Sequence, residues 1–155
     1  MAAENSVTSP PWHAAYPSPR DSNVTSIPRE EILKMLDHEE VGGRDFVLID
    51  LRRNDYEGGS IRTSINLPAQ SLYPTIPTLY TIFKAAGIRK VICYCSSSRG
   101  RGPRAAGWFN DYIVDQSDIE MKSLVMTEGI KGWAGAGPEY VQWMTEYDAS
   151  FWTRS

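Results

Sequence analysis

Cysteine is scarce in this chain: Cys93 and Cys95 are the only two among 155 residues. They stand two positions apart, too close to staple a fold, so the chain reads as reduced and intracellular, cytoplasmic or nuclear. Histidine is equally scarce, with two residues. Two scattered histidines and two cysteines do not make a zinc site, so no metal and no tightly bound cofactor are expected. No apolar run has the length needed to cross a bilayer, and Met1 to Arg20 lacks the apolar segment of a signal peptide. A membrane partner is therefore not expected. A basic excess is lacking too: the net charge is −3, which argues against a general nucleic-acid binder and leaves room for one local basic pocket. Ten prolines and twelve glycines are too few for a fibrous or wholly disordered chain.

What is present fits one globular domain, with 41% hydrophobic and 23% charged residues. Residues 1–24 are proline-rich and read as a flexible N-terminal arm, leaving 25–155 as the domain. Trp12 and Tyr16 are unusual in a free tail and are expected to pack on the domain. Strand and helix patterns then alternate. Ile32, Leu33 and Leu36 have helical spacing, and Phe46-Val47-Leu48-Ile49 reads as a buried parallel strand. Residues 51–63 read as a loop and Ser64–Leu67 as a short strand. Leu79, Ile82, Phe83 and Ala86 form the stripe of a helix that Gly87 stops. Lys90–Tyr94 is the strongest strand. Pro103 opens a helix through Ala106, Phe109 and Ile113. Leu124–Met126 is a strand, and a last helix is expected from about Pro138, using Tyr140, Met144 and Tyr147. The alternation predicts an α/β fold with a central parallel sheet flanked by helices. A monomer is expected.

The stretch that carries chemistry is Cys95-Ser96-Ser97-Ser98-Arg99-Gly100-Arg101-Gly102-Pro103-Arg104. It starts at the carboxyl end of a buried strand and finishes at a helix N-terminus. Backbone amides of such a loop can turn inward as an anion nest, and the helix end adds partial positive charge. Arg99, Arg101 and Arg104 supply cations, and no acid interrupts them. This setting favours a thiolate nucleophile at Cys95. Five residues separate Cys95 from Arg101, a spacing that lets the guanidinium grip two oxygens of a tetrahedral oxyanion opposite the sulfur. Cys95 and Arg101 are the expected catalytic pair. Ser96, Ser97, Ser98, Arg99 and Gly100 are the expected substrate-binding residues. A lone cysteine would more often be a buried structural thiol; the combined pattern sets Cys95 apart from Cys93, which reads as core. Arg99 leaves a shorter loop closure open.

Asp50-Leu51-Arg52-Arg53-Asn54-Asp55-Tyr56-Glu57-Gly58-Gly59-Ser60-Ile61, with Asn66-Leu67-Pro68 after it, resembles the first signature of the rhodanese-like domain. The Tyr-Glu-Gly-Gly segment resembles the M-phase inducer phosphatases. The Asp-Leu-Arg-Arg segment and Arg101-Gly102-Pro103-Arg104 resemble the fungal arsenate reductases and their small phosphatase relatives. Glu128–Trp133 is similar to the late strand and turn of that fold. The resemblance implies a cysteine-dependent phosphatase of dual-specificity or tyrosine type, or a thiol-dependent arsenate reductase. Its substrates would be phosphate esters, phosphate or arsenate, with a phosphoprotein among them. Glutathione or glutaredoxin would be the external reductant. Sulfur transfer from thiosulfate or a persulfide, and non-enzymatic oxyanion binding, are the alternatives. Three positions depart from the family pattern. Tyr94 replaces a histidine before the nucleophile. Ser96 and Gly100 stand where the M-phase inducers carry glutamates. Leu51 replaces a resolving cysteine.

Overall fold

The computed structural model describes residues 10–21 and 23–153. Along the chain run β1 (Ser26–Ile27), α1 (Arg29–Asp37), β2 (Phe46–Asp50), β3 (Ser60–Ile61), β4 (Ile65–Asn66), α2 (Ala69–Leu72), α3 (Ile76–Ala85), β5 (Lys90–Tyr94), α4 (Arg101–Asp115), β6 (Lys122–Met126), α5 (Gly129–Ala134), α6 (Pro138–Val141), β7 (Met144–Thr145) and α7 (Ala149–Trp152). Five strands make a parallel sheet in the order β1-β6-β5-β2-β4. β2 and β5 lie at its centre because their continuous apolar runs suit burial on both faces. This is the expected single α/β domain with helices on both sides.

One face packs under α2, α3 and α4 around Val47, Ile49, Val91, Cys93 and Phe109. The other packs under α1, α5 and α6 around Phe46, Leu48, Ile92, Tyr94 and Trp133. Helix α1 follows Pro28, with Glu30 and Glu31 in its first turn and Lys34 in its last, in agreement with the helix dipole. From β2 the chain turns to β4 on one side and later to β5 on the other. Asp50 pairs with Tyr94, so the carboxyl ends of β2 and β5 finish side by side. That is the crevice where open α/β sheets place ligands.

Five local expectations change. The helix expected from Pro138 is one turn, α6, and Met144 instead enters β7, paired antiparallel with Ile61 of β3. The same pairing puts a strand inside the segment read as the 51–63 loop. The stretch Glu128–Trp133 is a turn and helix, because Glu128 and Gly129 both take left-handed φ, 67° and 60°, and reverse the chain into α5. Helix α4 begins at Arg101, two residues before Pro103. In α3 the buried residues are Ile76, Tyr80 and Phe83, while Ile82 is 55% exposed, so the buried stripe is rotated from the expected one.

Of the segment read as an arm, residues 1–9 and 22 lie outside the described residues. Residues 10–21 run against α4. Trp12 and Tyr16 set their rings edge-on to Trp108, at centroid distances of 5.9 and 5.8 Å. Trp108 Nε1 donates to the Pro17 carbonyl at 2.7 Å. The Arg20 guanidinium reaches Asp115 at 2.8 Å and the Asp111 carbonyl at 2.9 Å.

Candidate active site

Cys95 follows β5 directly and is buried, 3% exposed. Its loop is fixed from three sides. The Cys95 amide donates to Ser98 Oγ at 3.3 Å, with Ser98 in the left-handed region at φ 59°. The first amides of α5 reach back: Ile130 N donates to the Cys95 carbonyl and Lys131 N to the Ser96 carbonyl, both at 3.0 Å. A Cβ on Gly129 would collide with those same two carbonyls, so glycine is required for this approach. On the far side α4 takes over at Arg101. Its first turn holds Arg101 and Arg104 and no acid. Two cations at a helix N-terminus oppose the dipole, and an anion bound between them relieves that conflict.

Arg101 is already holding an anion. Its two terminal nitrogens donate to the Asp55 carboxylate at 2.9 and 2.6 Å, and Ser96 Oγ donates to the same carboxylate at 3.2 Å. The Arg101 hydrogen bonds are the main cause holding the Asp55 carboxyl well below the usual carboxylate range. The pairing raises Arg101 in turn, with a smaller contribution from Cys95. Asp55 reaches this position through a buried scaffold. Arg52 and Asp50 are 1% and 0% exposed and paired at 2.8 Å. The Arg52 guanidinium also donates to the carbonyls of Glu57 at 2.9 Å and Gly59 at 2.8 Å, folding the 52–59 segment over the cysteine loop.

A cavity of about 440 Å³ opens on the loop, lined by Cys95, Ser97, Gly100, Arg101, Arg104, Gln70, Trp12 and His13. The expected catalytic pair therefore meets in one cavity. The expected binding residues divide. Ser97 and Gly100 line the cavity, Ser96 faces Asp55, and Ser98 is spent on the Cys95 amide. Arg99 is exposed and borders a separate cleft with Thr127, Glu128 and Lys131, where Cys95 is not among the lining residues. Cys93 is fully buried, and burial first, then the neighbouring Cys95, pushes its thiol up to about 12. Tyr94 packs in the opposite core from Cys95; its hydroxyl accepts from the Ile61 amide at 3.3 Å and pairs with Ser64 Oγ at 2.8 Å. It pins β3 in place and faces away from the thiol. Gln70, Trp12 and His13 are cavity residues that no sequence motif marked. Among the described residues no cluster of His, Cys, Asp and Glu is arranged to hold a metal ion, and no helix is long and apolar enough to cross a membrane.

Comparisons with known proteins bear on the fold and the family. The Saccharomyces cerevisiae Arsenical-resistance protein 2 is 31% identical over 98 residues, covering 58% of this chain and 75% of that protein. The As-Sb reductase of Leishmania major superposes with a TM-score of 0.57 at 25% identity, over 69% of this chain and 73% of that one. The yeast Ygr203w, described as a protein tyrosine phosphatase of the rhodanese family, shares the fold. Its TM-score is 0.69 at 21% identity, covering 84% of this chain and 97% of that one. The model of the rhodanese-like domain matches residues 29–136, from the start of α1 to just past α5 and therefore across the whole cysteine loop. With its cysteine loop at the carboxyl end of β5, the chain belongs to the rhodanese-like domain family.

Proposed function

We propose that the chain is a cysteine-dependent phosphatase and arsenate reductase. The Cys95 thiolate attacks a tetrahedral oxyanion held by Arg101 and the amides of the 96–100 loop. One observation carries this reading: beside Cys95, Arg101 grips two oxygens of a carboxylate in a planar fork. A substrate oxyanion needs the same fork, and the Asp55 carboxylate stands in for it. With a phosphate ester, the sulfur takes the phosphoryl group and water later removes it. With arsenate, the sulfur forms an arseno-thiol ester as an arsenate oxygen leaves as water; glutathione attacks the Cys95 sulfur, arsenite departs with the electron pair of the As–S bond, and a second thiol or glutaredoxin reduces the Cys95–glutathione disulfide. Leu51, where relatives of the M-phase inducer type carry a resolving cysteine, makes the external thiol necessary. The similarity to Arsenical-resistance protein 2 and to the Leishmania As-Sb reductase supports the arsenate branch. The outward course of Arg99 favours closure at Arg101 over the shorter loop of a sulfurtransferase.

The test is a parallel assay with an aryl phosphate, arsenate plus glutathione and glutaredoxin, and thiosulfate plus cyanide. Turnover is expected in the first two. Cys95→Ser should abolish both, and Arg101→Lys should lower both by about a hundredfold or more, because a point charge cannot replace the fork. Thiosulfate turnover that survives Arg101→Lys and fails in Arg99→Lys would overturn the reading.

A further inference from the structure

The cysteine loop of this chain has no acid to protonate a leaving group: Ser96, Ser97, Ser98, Arg99 and Gly100 offer none. Asp55 lies on Arg101 as an ionised carboxylate, an acceptor with no proton to give, and is the anion that the substrate displaces. The active-site cavity nevertheless contains one further proton-transferring side chain, His13, and one broad aromatic face, Trp12. Both come from the short 3₁₀ turn Trp12–Ala15 in the arm. The arm is seated by the Trp108–Pro17 hydrogen bond, by the tilted contact of the Tyr16 and Tyr73 rings at 5.0 Å, and by Arg20 on Asp111 and Asp115. Pro19 packs where a Cβ on Gly107 would meet it at 2.7 Å, so the arm crosses α4 at a glycine. The Trp12 and His13 rings meet edge to face at 5.4 Å and 84°, which sets the imidazole relative to the indole. The titratable and charged groups that line the cavity with His13 are Cys95, Arg101 and Arg104, and Arg101 in turn holds Asp55.

We propose that Trp12 and His13 form the leaving-group subsite and that the phosphate substrates it selects are aryl monoesters of the phosphotyrosine type. The inference rests on the phosphatase branch of the proposed function. The substrate phosphoryl group sits between Cys95 and Arg101, and its aryl group lies against the Trp12 indole. As the S–P bond forms and the P–O bond breaks, the His13 imidazolium gives its proton to the departing oxygen, and a phenol leaves. Water then attacks the phosphocysteine. The P–S bond breaks, the proton from water returns to His13, phosphate departs and the Cys95 thiolate is restored. An alkyl ester gains the proton but not the aromatic contact.

Two measurements on the full chain test this. In the first, His13→Gln is compared with wild type on phenyl phosphate and on p-nitrophenyl phosphate, whose leaving group needs little protonation. Phenyl phosphate turnover is expected to fall about a hundredfold, and p-nitrophenyl phosphate turnover much less. Equal losses on the two, or none, would overturn the role of His13. In the second, Cys95→Ser protein is titrated with phosphotyrosine and with orthophosphate. Phosphotyrosine is expected to bind at least tenfold tighter, and Trp12→Ala to remove that margin without changing the orthophosphate affinity. Orthophosphate binding with no preference for phosphotyrosine overturns the subsite and leaves the proposed function standing. If no phosphate is either bound or turned over, the phosphatase branch is overturned, and the subsite with it.

Discussion

Asp55 occupies the arginine that a substrate oxyanion requires, so binding at this site is an exchange of one anion for another. The Asp55 side chain is 41% exposed, and partly solvated pairs of this kind are worth about 0.2–1 kcal/mol. Asp55→Asn is accordingly expected to tighten oxyanion binding by up to about five-fold. Because Arg101 holds the carboxyl below its usual range, Asp55 stays charged well under pH 5. Any stability from the pair is present above the ordinary carboxylate pKa of about 4 and is lost only as pH falls through the depressed value. Sulfate, whose charge is fixed across this window, is the suitable probe. The ratio of its affinities in Asp55→Asn and wild type should stay constant from pH 7 to pH 5. A ratio that collapses within that range, or no gain at all, would show that Asp55 is not the competitor. At this scale the sequence was most readable where the chemistry is local. Cys95 and Arg101 share one loop, and their spacing alone predicts that they meet. Asp55 arrives from 46 residues away through folding of the 52–59 segment. The aromatic character of Trp12 pointed to packing on the domain, but nothing in its neighbourhood pointed to the cavity.

Among the elements, α4 joins the chemistry to the frame, and α5 sets the height of the loop. Helix α5 is six residues long, yet its first amides hold the carbonyls of Cys95 and Ser96. Gly129→Ala forces both a left-handed φ and a backbone collision, with an expected cost of about 1–3 kcal/mol. Gly87→Ala is the control, since Gly87 has φ 81° and open space around its Cβ position. Chemical denaturation should show a larger loss for Gly129→Ala, and aryl phosphate turnover should fall more than tenfold in that variant alone. Equal behaviour of the two would mean that α5 does not set the loop. The sequence pattern found β2, β5 and the apolar stripe of α4, each of which has one strong period or one continuous apolar run. It misread α3 because apolar residues cover more than one side of that helix, and tertiary packing chooses which side is buried. It missed β7 because Met144 and Thr145 are too short a strand to show a period, and only their distant partner defines them.

At the scale of the whole molecule, the arm is the part whose importance the sequence understated. Four prolines and no periodic apolar stripe give it the look of a tail, but it is held by rings and one indole hydrogen bond rather than by a stripe. Aromatic pairs contribute about 0.5–1.5 kcal/mol each beyond burial, and a domain of this size loses about 2–4 °C per kcal/mol. Deleting residues 1–20 is expected to lower the melting temperature by about 5–10 °C; an unchanged melting temperature would show that the docked arm adds nothing to the fold. The same frame bears on how the chain behaves in company. The parallel sheet finishes on both sides in strands of two residues, β1 and β4. A rim that short offers a neighbouring chain almost no backbone to zip onto, so crowding should not recruit copies of this protein into ordered aggregates through the sheet.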